Sequence, residues 1–265
     1  MADRDAFPLL AVDVGNSRIK LGEFEHPLTG PLPHPARATA LSLDWTDAQL
    51  AQFLTREPAA FTWSIASVNR PAAARLTAWL DERGVGRVRQ LTHVDLPLVI
   101  ELPRPDLVGV DRLANAVAVN RLRDQGKPAI VIDMGTAIKV DLVPATGAFA
   151  GGAILPGITM AARALHEFTD LLPLVDVGGP PPALGTATVS AMSSGLYWGA
   201  VGAVRELVAR LTGVGQEVEI FLTGGAAPHF APILGQEEGR PFRFVPHLTL
   251  SGIALAASRP APTEI

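Results

Sequence analysis

The fold is decided by residues 131–141, which read VIDMGTAIKVD. In this stretch an apolar run ends in an acid, a glycine and a hydroxyl residue follow, and a second strand-like run then begins. Residues 9–20, LLAVDVGNSRIK, have the same arrangement, and 120 residues separate Asp13 from Asp133. The repeat predicts two similar halves, each of which presents a strand–turn–strand corner to one shared ligand.

Composition narrows the class of protein. The 265 residues are 48% hydrophobic and 18% charged, which is typical of a globular chain long enough for two domains. The net charge of -4 and the lack of a Lys/Arg run give no indication of nucleic acid or an anionic membrane as partner. Without cysteine there are no disulfides, thiolate metal sites or cysteine nucleophiles.

The N-terminal sequence has no signal-peptide pattern, and no unbroken apolar stretch of roughly 18 residues occurs. We therefore expect a cytoplasmic protein without a membrane span. The six histidines do not have metal-ligand spacing, and we interpret them as structural or surface residues.

Alternating strand-like and helical patterns predict α/β layers. Three glycines in the longest predicted helix, Gly195, Gly199 and Gly202, suggest close packing there. Strands are expected at 7–14, 18–25, 61–68, 87–91, 129–143 (a strand–turn–strand), 148–155, 217–222 and 242–245, and helices at 44–56, 71–84, 111–125, 158–168, 188–211 and 248–257.

The two corners carry residue types that suit a nucleotide. A glycine at the turn lets backbone N–H groups approach an anion, and Asn16 and Ser17 add side-chain donors. Asp13 can hold Mg²⁺ beside phosphates, directly or through water. An ordinary hairpin turn is the alternative. The second copy at Asp133, together with the turn 223–226, favours a metal-bound triphosphate gripped from both sides.

Asp111 and Arg112 open a predicted helix. An acid at that position can simply cap the helix N–H groups. An arginine beside it can bind a carboxylate through two hydrogen bonds, and an acid that accepts a hydroxyl proton would complete a phosphotransfer pair. The residue types alone do not decide between a helix cap and a catalytic site at Asp111 and Arg112.

An ordered series of motifs resembles the signature of the type III pantothenate kinases. The series runs from residue 13 to about 226, nearly the whole chain. Its members are DVGNS at 13–17, GVDR at 109–112, DMGTA at 133–137, GGAILPG at 151–157 and TVSAMSSG at 188–195.

The resemblance implies the actin-like fold: two ribonuclease H-like α/β domains, each a mixed sheet flanked by helices, with the active-site cleft between them. The expected domains are 1–115 and 116–258, followed by a tail at 259–265. The implied activity is ATP-dependent phosphorylation of pantothenate to 4'-phosphopantothenate, the first step of coenzyme A biosynthesis. A homodimer is also implied, with Mg²⁺ and a monovalent cation, K⁺ or NH₄⁺, as cofactors.

The resemblance also implies residue roles. Pantothenate would be held by Gly109, Val110, Asp111 and Arg112, with Asp111 as proton acceptor, and would be contacted by Thr188. Asp133 would bind the monovalent cation. ATP would be bound by Asp13, Val14, Gly15, Asn16, Ser17, Arg18, Ile19, Lys20 and Thr136.

Two positions depart from the family pattern. Lys139 stands where the family commonly has Thr, on the expected face of Asp133 and Asp141. We hypothesise that its ammonium occupies the place of the monovalent cation; the alternative is that it points to solvent or pairs with Asp141. Leu102 stands where the family often has a substrate-contacting Tyr, so an apolar contact is expected there. These departures leave open an actin-like kinase for another small hydroxy acid, and a non-catalytic ligand-binding regulator.

Overall fold

The computed structural model describes residues 7–26, 30–213, 217–235 and 241–258. The chain divides into two compact units. The first unit comprises Met1–Leu122 together with His247–Ile265, and the second comprises Arg123–Pro246.

The first unit is built on a five-stranded sheet. Strand β1 pairs with β2 in antiparallel and with β4 in parallel orientation, and β3 and β5 form the edges. The strands are β1 (Leu9–Val14), β2 (Arg18–Phe24), β3 (Arg37–Ser42), β4 (Thr62–Ser67) and β5 (Val88–Leu91), and the helices are α1 (Asp47–Phe53), α2 (Arg70–Asp81), α3 (Val110–Val119) and α7 (Leu248–Ala257).

The second unit repeats this plan. Strand β6 pairs with β7 in antiparallel and with β9 in parallel orientation, and β8 and β10 form the edges. The strands are β6 (Ala129–Met134), β7 (Ala137–Val143), β8 (Gly152–Pro156), β9 (Glu219–Thr223) and β10 (Phe242–Phe244), and the helices are α4 (Ile158–Glu167), α5 (Thr188–Leu211) and α6 (Ala227–Leu234).

The two sheets share one connectivity. Listed from the antiparallel edge, the order is β3-β2-β1-β4-β5 in one and β8-β7-β6-β9-β10 in the other. Each sheet therefore begins with a three-stranded meander and adds two parallel strands on the other side of its first strand. This confirms the two similar halves expected from the repeated stretch.

The first strand of each unit lies at the centre of its sheet, and every residue of β1 and of β6 is buried. A strand covered on both faces must be apolar at successive positions, not at alternate ones. The runs LLAV and AIVI, which precede Asp13 and Asp133, meet this requirement. The two acids are therefore carried at the ends of fully buried central strands.

Helix α2 shows how local sequence sets an element. Asn69 is its N-cap and accepts a hydrogen bond from the Ala72 N–H, and Pro71 occupies the first turn. After the last turn, Gly84 takes a positive φ of 64°, which a residue without a Cβ adopts readily. Its buried face, Ala73, Leu76, Trp79 and Leu80, packs into the apolar core of the first unit.

Several predicted elements differ in detail. The proline-rich segment 26–38 indicates a loop or an edge strand, and the edge strand β3 begins within it, at Arg37, and continues beyond it to Ser42. Helix α1 begins only at Asp47, because Thr46 and Gln49 form a capping box that fixes its start. Helix α3 ends at Val119 and not at 125. A Cβ on Gly195, Gly199 or Gly202 would meet open space, so these glycines do not serve close packing within the described chain.

The domain boundaries also differ from the expected ones. A boundary at 115 would cut through α3, whereas the units divide after Leu122. Helix α7 was expected in the second domain but belongs to the first, where it packs on α3 and β1. The expected tail at 259–265 lies outside the described residues.

Candidate active site

The first corner places an acid and a lysine face to face. Asp13 on β1 and Lys20 on β2 are direct partners in the strand register, and Lys20 Nζ donates to Asp13 Oδ2 at 2.8 Å. The turn between them is closed by a hydrogen bond from Gly15 N–H to Arg18 O at 3.0 Å. Asp13 is only 3% exposed, so its charge depends on partners at close range.

The predicted ATP segment thus falls on one hairpin. Asp13 and Val14 end β1, and Arg18, Ile19 and Lys20 begin β2. Gly15, Asn16 and Ser17 form the turn, in which Asn16 and Ser17 are exposed. Backbone N–H groups at such a glycine turn suit an anionic ligand.

The second corner repeats this contact. Asp133 on β6 and Lys139 on β7 are register partners, and Lys139 Nζ donates to Asp133 Oδ2 at 2.9 Å. The turn is one residue shorter and is closed from Gly135 N–H to Ala137 O at 3.2 Å. Thr136 lies in this turn. The ion pair is well covered, with the Lys139 side chain 17% exposed.

The expectation that Lys139 shares a face with Asp133 is confirmed, but the geometry behind it is different. The two residues do not alternate along one strand. They lie directly opposite each other on two antiparallel strands, and such partners project to the same face of the sheet. Lys139 therefore does not point to solvent, which removes that part of the alternative.

Two glycines hold other elements against the second corner. Gly224, in the turn after β9, has a φ of 99°, and a Cβ there would lie 2.5 Å from Met134 O and 2.6 Å from Asp133 Oδ1. Gly157, the N-cap of α4, donates its N–H to Thr136 O at 3.0 Å. A Cβ on Gly157 would overlap the carbonyl oxygens of Gly135 and Thr136.

These close approaches were not assigned from sequence. Gly157 ends one of the signature motifs, and Gly224 begins the expected nucleotide turn. A glycine that follows a strand and precedes a helix or a second glycine was the available signal, because it marks close backbone approach.

Asp111 lies at the start of α3, one residue after Val110, the first helical residue. Its Oδ1 accepts the N–H of Arg112 at 2.9 Å and lies 2.6 Å from where a Cβ on Gly109 would be. A Cβ at residue 109 would therefore displace the Asp111 carboxylate. Asp111 is 6% exposed, and a buried acid at a helix start is stabilised by the positive end of the helix.

A short series of contacts connects the first corner to the segment that precedes Asp111. Val14 O, at the end of β1, accepts the N–H of Val68, which directly follows β4, at 3.0 Å. Val68 Cγ1 in turn lies 3.3 Å from the Cβ position at Gly109. The chain of contacts runs from the predicted phosphate loop through Val68 to the predicted pantothenate segment.

The remaining predicted residues are distributed over both units. Arg112 is half-buried on α3, and Leu102 is half-buried in the segment that leads to Gly109. Thr188 is exposed at the first position of α5 in the second unit. The first unit thus pairs Asp13 with Lys20 and connects their corner through Val68 to Gly109, two residues before Asp111, and the second unit pairs Asp133 with Lys139 beside Thr136.

Two metals were expected, each at a carboxylate that holds a lysine ammonium in the structure. Among the described residues, no group of three or more His, Cys, Asp or Glu side chains forms a metal cluster. Mg²⁺ usually takes one or two carboxylates and completes its shell with water and phosphate oxygens. Asp13 can supply that one carboxylate through water, because the lysine that holds its Oδ2, Lys20, is 34% exposed at its side chain. At Asp133, where a monovalent cation was expected, the carboxylate already holds an ammonium.

The fold defines the class of protein. Ta0583, an archaeal actin homolog, shares it with a TM-score of 0.52 over 96% of this chain and 100% of that chain, at 12% identity. Two five-stranded mixed sheets flanked by helices are the actin-like arrangement. Among the described helices, none has the length and apolar character to cross a bilayer.

The chain belongs to the type III pantothenate kinase family, whose model matches residues 9–210. The type III pantothenate kinase of Acidiphilium cryptum (strain JF-5) is 41% identical over 172 residues, 64% of this chain and 62% of that protein. Type III pantothenate kinase 1 of Symbiobacterium thermophilum is 37% identical over 260 residues, 93% and 95% of the two chains. Matches to two further curated relatives span 53% of each relative's length.

Proposed function

We propose that this protein transfers the γ-phosphoryl group of ATP to the primary hydroxyl of pantothenate, forming 4'-phosphopantothenate, the first committed phosphorylation toward coenzyme A. The observation that carries the proposal is the connection in the first unit from the end of β1 through Val68 to Gly109, where α3 begins. A buried carboxylate, Asp111, lies in the first turn of that helix, and the corner at the end of β1 holds Asp13 and Lys20. Membership of the pantothenate kinase family supports the choice of substrate.

The corners serve to position phosphates. Phosphoryl transfer passes through a loose transition state, so alignment and charge neutralisation supply most of the catalysis. Residues 13–20 offer turn N–H groups and the Lys20 ammonium to ATP, and Thr136 contacts ATP from its own turn. Mg²⁺, when bound with ATP, neutralises phosphate charge, and Asp13 would hold it through water.

Asp111 orients the acceptor. The N–H of Arg112 holds Oδ1 and so fixes the direction of the carboxylate. The carboxylate accepts a hydrogen bond from the pantothenate hydroxyl and takes its proton late in the transfer, which does not demand a strong base. Gly109 and Val110, in the same segment, also hold pantothenate. Arg112 binds the pantothenate carboxylate, and Thr188 contacts pantothenate.

We further propose a homodimer. The loop between α4 and α5 exposes large apolar side chains, with Phe168 84%, Leu171 85% and Leu184 79% exposed. Exposed apolar side chains concentrated in one segment mark an interaction surface. A second copy that covers this loop would bury them. Sedimentation should give a dimer for the wild type and a monomer for Phe168→Glu/Leu171→Glu, while Val94→Glu, at an exposed position of the first unit, should leave the dimer intact.

The test of the activity is an assay with ATP, Mg²⁺ and a panel of hydroxy acids. Pantothenate should be the preferred acceptor, and Asp111→Asn should lower kcat by about 10²–10⁴-fold because the proton acceptor is lost. ATP binding, measured by calorimetry, should not change in that variant. Asp81→Asn, an exposed acid on α2, serves as control and should match the wild type.

Other results would exclude the proposal. Turnover of a different hydroxy acid, with none of pantothenate, would identify another actin-like kinase. Binding of ATP or pantothenate without any turnover would identify a ligand-binding regulator. A cytoplasmic location, where ATP is available, forms part of the same proposal.

A further inference from the structure

The second corner is a copy of the first in its charged pair as well as in its strands. In each corner a lysine on the second strand stands in register with an acid on the first. The Nζ–Oδ2 distances are 2.8 Å for Lys20–Asp13 and 2.9 Å for Lys139–Asp133. This hairpin therefore accommodates a lysine ammonium against its acid without distortion of the register.

The Lys139 ammonium contacts the Asp133 carboxylate, which is the group that a monovalent cation would contact. Asp133 is 3% exposed, and a buried carboxylate requires a compensating charge. An ammonium group is a compact single positive charge with three donors, close in size and charge to K⁺ and NH₄⁺. On Lys139 it is delivered by the protein itself at hydrogen-bonding distance.

A free cation at the same carboxylate would compete with this lysine. Two positive charges beside one buried acid repel each other, and the repulsion is strong where water is excluded. Oδ1, the other oxygen of Asp133, faces the Gly224 turn, where a Cβ would come within 2.6 Å of it. The carboxylate is thus enclosed by Lys139 on one side and by backbone on the other.

We infer that Lys139 replaces the monovalent cation at Asp133, so that this enzyme phosphorylates its substrate without K⁺ or NH₄⁺. The lysine is a positioning residue: it neutralises Asp133 and thereby fixes the turn that carries Thr136. The inference concerns the cation requirement of the proposed kinase. It rests on the proposed function in the activity measurement below, but not in the measurement of melting temperature.

The first measurement is the phosphorylation rate of the wild type in K⁺, NH₄⁺ and choline salts at constant ionic strength. Equal rates in the three salts are expected. A rate that falls to background in choline and recovers with K⁺ would overturn the inference.

The second measurement uses Lys139→Thr, which vacates the position. This variant should lose activity in choline and regain about tenfold or more with K⁺. Its melting temperature should rise by about 2–4 °C with K⁺, while that of the wild type should not change. Lys127→Thr, a surface lysine of the same unit paired with Glu217, is the matched control and should show neither response.

The melting temperatures separate the inference from the proposed function. If no salt supports turnover of pantothenate, the proposed function fails, yet the K⁺-dependent stabilisation of Lys139→Thr still decides the role of Lys139. If K⁺ changes neither the activity nor the melting temperature of Lys139→Thr, the inference is wrong. If Lys139→Thr does not fold, Lys139→Gln, which keeps most of the side-chain length, takes its place.

Discussion

At the scale of single residues, the two corners show how one sequence pattern gives two sites of unequal character. Both carry an acid, a glycine and a lysine in register. The Lys139–Asp133 pair is more enclosed than Lys20–Asp13, because the Lys20 side chain is 34% exposed. Lys20 is consequently the better placed of the two lysines to meet a phosphate that arrives from solvent, whereas Lys139 is the better placed to act as an internal charge.

Gly224 is one of the residues on which the second corner depends. Its φ of 99° disfavours any residue with a Cβ, and an added Cβ would press on Met134 O and Asp133 Oδ1. We expect Gly224→Ala to lower the free energy of unfolding by about 2–4 kcal/mol, from backbone strain and overpacking together. Chemical denaturation measures this, and the KM for ATP should rise.

The control for this substitution is Gly178→Ala, where the added Cβ would meet open space and φ is not positive. It should change the free energy of unfolding by no more than about 0.5 kcal/mol. If both variants lose the same free energy of unfolding, the positive φ and the close contacts of Gly224 are not the cause of the loss.

At the scale of elements, the sequence predicts what depends on local pattern. The central strands were predicted because they are continuously apolar, and α2 because Asn69, Pro71 and Gly84 mark its ends. The edge strand β3 was placed poorly, because its burial is only partial and its pattern resembles a loop. The candidate site follows the same rule: the residues in each corner and the shared face of Lys139 and Asp133 were predictable, but the Lys20–Asp13 pair and the backbone contacts of Gly157 and Gly224 were not.

Helix α7 is the element that local sequence could not place. It is apolar all round, and eight of its ten residues are buried, so its pattern indicates burial but not the partner. Its partner is set by shape. A Cβ on Gly252 would overlap Ala114 O on α3, and Thr249 donates to Asn115 Oδ1 at 2.8 Å. Both contacts join residues more than 130 positions apart along the chain, beyond the reach of any periodicity.

At the scale of the whole molecule, the first unit is discontinuous and the second is continuous. The chain leaves the first unit after Leu122, builds the second, and returns at His247 to complete the first with α7. Three residues of α7 that lie in the core, Leu248, Leu250 and Ile253, are each essentially inaccessible to solvent. Burial of such side chains contributes about 1.5–3 kcal/mol apiece, a sum comparable with the stability of an entire domain.

This asymmetry predicts the behaviour of fragments. Residues 123–246 alone should unfold cooperatively on heating, because they contain all five strands of their sheet and the helices that cover it. Residues 1–122 alone should not, because α3 and β1 would expose the surface that α7 buries. Joining residues 247–258 to the end of 1–122 through a flexible Gly/Ser linker should restore cooperative unfolding. Circular dichroism on the three fragments measures this. If 1–122 melts as cooperatively without α7 as with it, the C-terminal helix is an accessory and not a part of the first unit's core.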